Sequence, residues 1–436
     1  MRKQWIATLG ILALMLAIGG RAEAAVTTCD PITIQHIVDT PAEAAAIGAN
    51  DYNNTNCHLI IQVSIPIPPS HTVLVLMADR ITIDPAGGPT PAVDVEIIND
   101  NVSSEIRLTT TTDVVGHIEI TNGVLKAHKL LRFVAKEDVT ARDSQLIAAT
   151  VFGPPPSGLG GDFRIDADGN VDIQGTATHA GAILEWVADG SITFICLGGP
   201  TGCQDPLDSS KAVELCGTCP PGSTCPPDPR VPPTVFPCAV NFPTDASLRE
   251  VCFPGGDAVP CDGGSKEKRF LARSGNINIA GTTLTSAKHI TFTANNGNLL
   301  GAGANLTSTD DRIAFVIKGT IDLSDATLSS GKDIFIKSTN CPVPVDPLDP
   351  SDTCINANGA TMTAATRITM ATPGNAGVVD VCEATLTDGS GDPVLNGDTA
   401  PPYNDPPNRV VDTATECDDF VAPSGDNIKG PAVITP

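Results

Sequence analysis

Three groups of side chains in this sequence have the types and spacing that chemistry requires. Asp166, Asp168, Asn170 and Asp172 stand at alternate positions of DADGNVD, the order in which oxygen ligands open a calcium loop. Val171 takes the place where such a loop turns on Gly, and Ala177 the place of its closing Glu. The run therefore reads first as an Asp-Gly turn, with structural calcium as the alternative and no other cofactor expected. Cys216, Cys219 and Cys225 form a C-x2-C-x5-C run, and no histidine lies between His179 and His289 to complete a mixed zinc shell. Asp310 and Asp311, followed by Arg312, offer a carboxylate pair of the kind general acid/base work uses. They fall between two apolar positions, where a solvated turn is expected. The histidines are scattered and none pairs with a nucleophile at a recognisable spacing, so no catalytic residue is assigned.

The elements that must position these groups follow from apolar spacing. Ile277, Ile279, Leu284, Ile290 and Phe292 lie at offsets 0, 2, 7, 13 and 15. The spacing recurs at Ile321, Leu323, Leu328, Ile334 and Ile336, and with one residue of slack at Leu299, Gly301, Leu306, Ile313 and Phe315. Ile118, Ile120, Leu125, Leu131 and Phe133 match it too, as do the sets starting at Val171 and Ile355. A step of two is the strand period. Each unit thus holds three short strands, too few to bury an apolar face alone, so successive units must stack. The expected fold is all-β: a right-handed parallel β-helix with three strands per turn, a small N-terminal cap and a disulfide-rich insertion.

In such a coil the residues between inward positions form outward columns. At offset 1 the column reads Glu119, Thr140, Asp172, Thr193, Asn278, Leu300, Asp322, Asn356 and Asp380; at offset 14 it reads Arg132, Glu185, Thr291, Ala314, Phe335 and Thr369. Neither sets two carboxylates and a base on adjacent turns. With 12 Phe, 2 Tyr and 2 Trp, most at inward positions, an extended sugar-stacking platform is not expected.

The stretches GNINIAGTTLTS (275–286) and GTIDLSDATLSS (319–330) resemble the repeats of filamentous-haemagglutinin-type adhesins and of right-handed parallel β-helix proteins generally. The resemblance implies a secreted, often surface-associated coil of three sheets. The N-terminal module those adhesins use for two-partner secretion is not found. Enzymes of the same fold, such as pectate lyases and polygalacturonases, carry acidic and basic residues on an outward face. Asp310 and Asp311 resemble the paired aspartates of polygalacturonases, but the glycine-histidine-glycine and arginine-lysine motifs of that family are missing.

Arg2 and Lys3, the apolar run from Trp5 to Ile18 and the Ala22-Glu23-Ala24 site read as a secretory signal peptide. A net charge of −24 makes nucleic acid and anionic membrane poor partners. An even count of 14 cysteines behind an export signal argues for disulfides. Cys29 and Cys57 flank the first ordered segment, Cys341 and Cys354 bracket a loop, and Cys382 and Cys417 clamp the tail. Cys196, Cys203, Cys216, Cys219, Cys225, Cys238, Cys252 and Cys261 crowd one region, where eight cysteines permit 105 connectivities and none is chosen.

The expected organisation is a signal peptide (1–24), an N-terminal cap (25–90), a first stretch of coil (91–196), a Cys/Pro-rich insertion (197–268), a second stretch of coil (269–388) and a C-terminal tail or cap (389–436). The expected function is that of a secreted, non-enzymatic β-solenoid acting as a structural or adhesin-like surface-interaction protein, outside the cell, on its surface or in a periplasm. Its expected partners are a surface protein or glycan, with self-association possible and neither nucleic-acid binding nor membrane insertion. The alternative is a lyase or hydrolase of acidic glycans.

Overall fold

The computed structural model describes Cys29 and residues 34–85, 95–99, 101–112, 115–149, 161–195, 265–340, 353–372 and 377–389, together with short strands at 394–395, 404–405, 408–411 and 433–435. The signal segment, nearly all of the 197–268 insertion with its eight cysteines counted from Cys196, Cys341, Cys417 and most of the 389–436 tail lie outside the described residues.

The chain is an all-β parallel solenoid, and its strands alternate as the period of two requires. Leu130–Ala135, for example, reads alternately outward and buried. Each turn crosses three faces, shown by Ile118–Thr121 on the first, Gly123–Ala127 on the second and Leu130–Ala135 on the third. Parallel pairing in register then stacks like on like. On the first face one inward column runs His36, Leu59, Ile81, Ile118, Val139, Val171, Ile192, Ile277, Leu299, Ile321, Ile355 and Val379. Every member but His36 is at most 1% exposed, and burying each aliphatic side chain contributes roughly 1.5–3 kcal/mol. The inner column of the third face runs Leu76, Leu108, Phe133, Ile165, Trp186, Phe270, Phe292, Phe315, Ile336 and Met370.

The ladder begins before the boundary expected near residue 91. Gln35–Val38, Tyr52–Ile61 and Val73–Ile83 are already parallel rungs, so the ladder reaches back into the stretch expected as an N-terminal cap. Tyr52–Ile61 and Val73–Ile83 run through the corner from the third face to the first as single strands, and that continuity hides the spacing found elsewhere. Helix α1, Pro41–Asn50, is the only helix among the described residues. Thr40 caps it, its hydroxyl accepting from the Glu43 N–H, and Pro41 opens it. It packs so closely on Ile65–Pro66 that a Cβ on Gly48 would lie 2.1 Å from the Pro66 carbonyl oxygen, and it thereby covers the N-terminal end of the second face.

The first and third faces join as one 24-stranded sheet, whereas the second face is divided into a five-stranded and a six-stranded sheet. The division falls between Ala177–Ala180 and Thr283–Ser286, the level at which the chain leaves after Ile195 and returns at Ser265. The coil resumes at Glu267–Ala272, two residues ahead of the expected 269. Lys268 obscured that start, because it fills an inward position in register with Leu184 and Ile290 and is fully buried.

Two devices hold the corners. Offset 4 adopts positive φ in eight units: Asn122, Asp143, Gly175, Gly281, Gly303, Asp325, Gly359 and Glu383, at 48° to 69°. One position before the first-face strands, a polar ladder climbs the coil. Asp138 accepts from the Asn170 N–H, Asn170 from Ser191, Ser191 from Asn276, Asn276 from Asn298 and Asn298 from Thr320, at 2.7 to 3.1 Å. Each side chain satisfies a backbone donor of the next turn that the bend takes out of the sheet.

Candidate functional site

A row of charged side chains lies along the outward side of the third face. Alternation turns every second residue of its strands away from the core, and register aligns those residues turn upon turn. One column reads Val75, Arg107, Arg132, Arg164, Glu185, Arg269 and Thr291. The neighbouring column, two residues earlier on each strand, reads Val73, Glu105, Leu130, Asp162, Ile183 and Glu267.

An acid-x-Arg pattern results in three strands. Glu105 pairs with Arg107, Asp162 with Arg164 at 2.8 Å and Glu267 with Arg269 at 2.6 Å. Glu185 bridges turns, 3.4 Å from Arg164 and 3.8 Å from Arg269. Glu105 also takes the Lys129 ammonium at 2.6 Å. The hydrogen bond from Lys129, joined by that from Arg107, holds the Glu105 carboxyl below the ordinary carboxylate range against the opposing effect of burial. In the middle of the column the pattern breaks: Leu130 stands where the acid would be, and exposed Arg132 makes no hydrogen bond or ion pair among the described residues.

Further along the same face, His289 sits between two carboxylates. Its Nε2 is 3.3 Å from Glu267 and its Nδ1 is 3.8 Å from Asp311. The first distance is near the outer limit for a hydrogen bond and the second lies beyond it. A histidine flanked in this way can shuttle a proton. Of the two aspartates singled out in the sequence, Asp311 is thus brought to a histidine, and no contact joins Asp310 to it.

Comparison with protein families, with curated proteins and with solved structures finds no match.

The calcium candidates are spread over different elements. Asp166 belongs to the third-face strand Asp162–Ala167 and Asp172 to the first-face strand Val171–Gln174. Asp168 pairs with Lys136 at 3.1 Å, Asn170 is a rung of the polar ladder, and Asp172 pairs with Arg142. Among the described residues no three His, Cys, Asp or Glu side chains group as metal ligands. Cys29 and Cys57 form a disulfide, tying the N-terminal segment to the strand Tyr52–Ile61. Cys354 and Cys382, both buried, each take part in a disulfide as well.

A second polar cluster lies on the first face. Arg80 pairs with Glu119 at 2.7 Å, and His58 Nε2 meets the Thr82 hydroxyl at 2.9 Å. Burial first, then the Arg80 charge, lowers the His58 pKa, against the pull of Glu119 and Asp79. Every polar partner there belongs to a neighbouring turn, so the cluster ties turns together.

Arg107, Arg164 and Arg269 were not legible as one column with Arg132. Each lies next to a break in the repeat, so counting along the chain loses register where backbone pairing keeps it. The acid-x-Arg triplets EIR, DFR and EKR were the available signal.

Proposed function

We propose that this protein is an exported, non-enzymatic β-solenoid that acts as an adhesin-like surface-interaction protein through its third face. The observation that carries this reading is the in-register column Arg107, Arg132, Arg164, Glu185 and Arg269, a row of charge on a rigid parallel sheet. Binding surfaces gain from rigid elements because little order must be imposed when the partner arrives. Location outside the cell is part of the proposal, supported by the signal-like N-terminus and the disulfides.

The test is an array of surface glycans and proteins probed with the mature chain, with release of reducing or unsaturated ends measured on every glycan that binds. Binding without new ends is expected. A second reading, cleavage of an acidic glycan, is favoured by His289 between Glu267 and Asp311. Release of ends that Glu267→Ala or His289→Ala abolishes would replace the first reading with the second.

A further inference from the structure

We propose that Arg132 is the centre of a site for a linear anionic polysaccharide, carboxylated or sulfated, lying along the coil axis on the third face. This deepens the surface-interaction reading and rests on it. Arg107, Arg132 and Arg164 hold the same outward position in three successive rungs. Parallel strands set such neighbours about 4.8 Å apart, and like charges directly opposite one another destabilise a sheet. Glu105 relieves Arg107 and Asp162 relieves Arg164. Arg132 has no such acid, because Leu130 occupies its place.

Lys129 adds a further cation, sharing the single carboxylate of Glu105 with Arg107. This stretch of the face therefore carries more cation than acid, on a chain whose net charge is −24. An uncompensated guanidinium held between two others is a local cost that a bound anion removes. A site that breaks the charge rule its neighbours obey is where function is to be sought.

The spacing selects the ligand. Rungs about 4.8 Å apart match the length of one pyranose residue, so successive acidic sugars can meet successive arginines. Guanidinium takes a carboxylate or sulfate in bidentate fashion. The outward neighbours of Arg132 on its own strand are Leu130 and Val134, so charge, rather than stacking on aromatic rings, does the recognising.

The experiment uses the full mature chain. Polygalacturonate and dextran sulfate separate the carboxylated from the sulfated source, and neutral dextran and poly-glutamate serve as comparisons. Direct binding, thermal midpoint and release of sugar ends are read together. At least one acidic glycan should bind and raise the midpoint, and neutral dextran should do neither. Arg132→Gln should raise the midpoint of the ligand-free protein and weaken glycan binding at least tenfold, while Arg367→Gln, far along the same face, should change neither. The proposal is overturned if neither glycan binds, if Arg132→Gln binds as tightly as the native chain, or if poly-glutamate binds more tightly than both glycans. Binding that depends on Arg132 but is accompanied by new sugar ends would uphold the site and remove the non-enzymatic reading.

Discussion

Phe270 and Phe292 lie face to face in the core, ring centroids 4.9 Å apart and planes 7° from parallel. The separation is the spacing of adjacent strands, because the two rings hold the same inward position on successive turns. Phe315 continues the stack at 5.1 Å and 8°, and Trp186 closes it edge-on at 5.2 Å from Phe270. Register, not ring preference alone, sets this geometry.

Truncating the middle of the stack should be costly. Phe292→Ala removes a fully buried ring whose neighbours are pinned by their own strands and cannot collapse into the space. A loss of about 3–5 kcal/mol is expected, read as a lower midpoint in urea. An unchanged midpoint would mean that the turns are not rigidly stacked there.

A side chain at the Gly359 corner should be costly. Its φ is +69°, and a Cβ would come within 2.3 Å of an Asp325 carboxylate oxygen. Gly359→Ala is expected to cost about 1–3 kcal/mol from the left-handed backbone alone. Pairing it with Asp325→Gly removes the clash and relaxes the Asp325 corner, itself at φ +54°, but leaves the strain at 359, so part of the loss should return in a thermal melt.

The polar ladder predicts a local effect. Asn298 accepts from the Thr320 N–H at 2.9 Å, so Asn298→Ala leaves that donor without its partner. The cost should be about 1 kcal/mol, and hydrogen exchange should quicken at the Thr320 amide more than at amides of the flanking strands.

Acid should weaken the coil in two steps. Neutral His58 is favoured in the folded state because burial and Arg80 lower its pKa. Its contribution is therefore complete above the unfolded imidazole value and is lost as pH falls through the lower folded one. Glu105, also lowered, contributes above the unfolded carboxyl value and loses that contribution at still lower pH. Thermal midpoints measured across pH 3–8 should decline in both ranges. His58→Gln should flatten the upper decline and Glu105→Gln the lower one; slopes unaltered by either change would refute the assignments.

The repeat itself was legible in one dimension. Side chains at offsets 0 and 2 can share a face only in a strand, and a unit of that length can bury its apolar residues only against its neighbours. The inward roles of Ile277, Leu299 and Ile321 followed from spacing alone, and the structure places them in one column. That the N-terminal strands belong to the same ladder was not legible, since Tyr52–Ile61 and Val73–Ile83 cross a corner without the usual turn, nor was the start at Glu267, where buried Lys268 breaks the apolar pattern.

By itself, the sequence determined the period, the alternation and the residues that face water, because these depend on local backbone geometry and on apolar burial. Which outward residues meet was decided only by tertiary structure. Hydrogen bonding between strands ignores the length of chain that loops out between them. It therefore sets Arg107 beside Arg132, Arg132 beside Arg164 and Glu267 beside His289, whatever distance in sequence separates them.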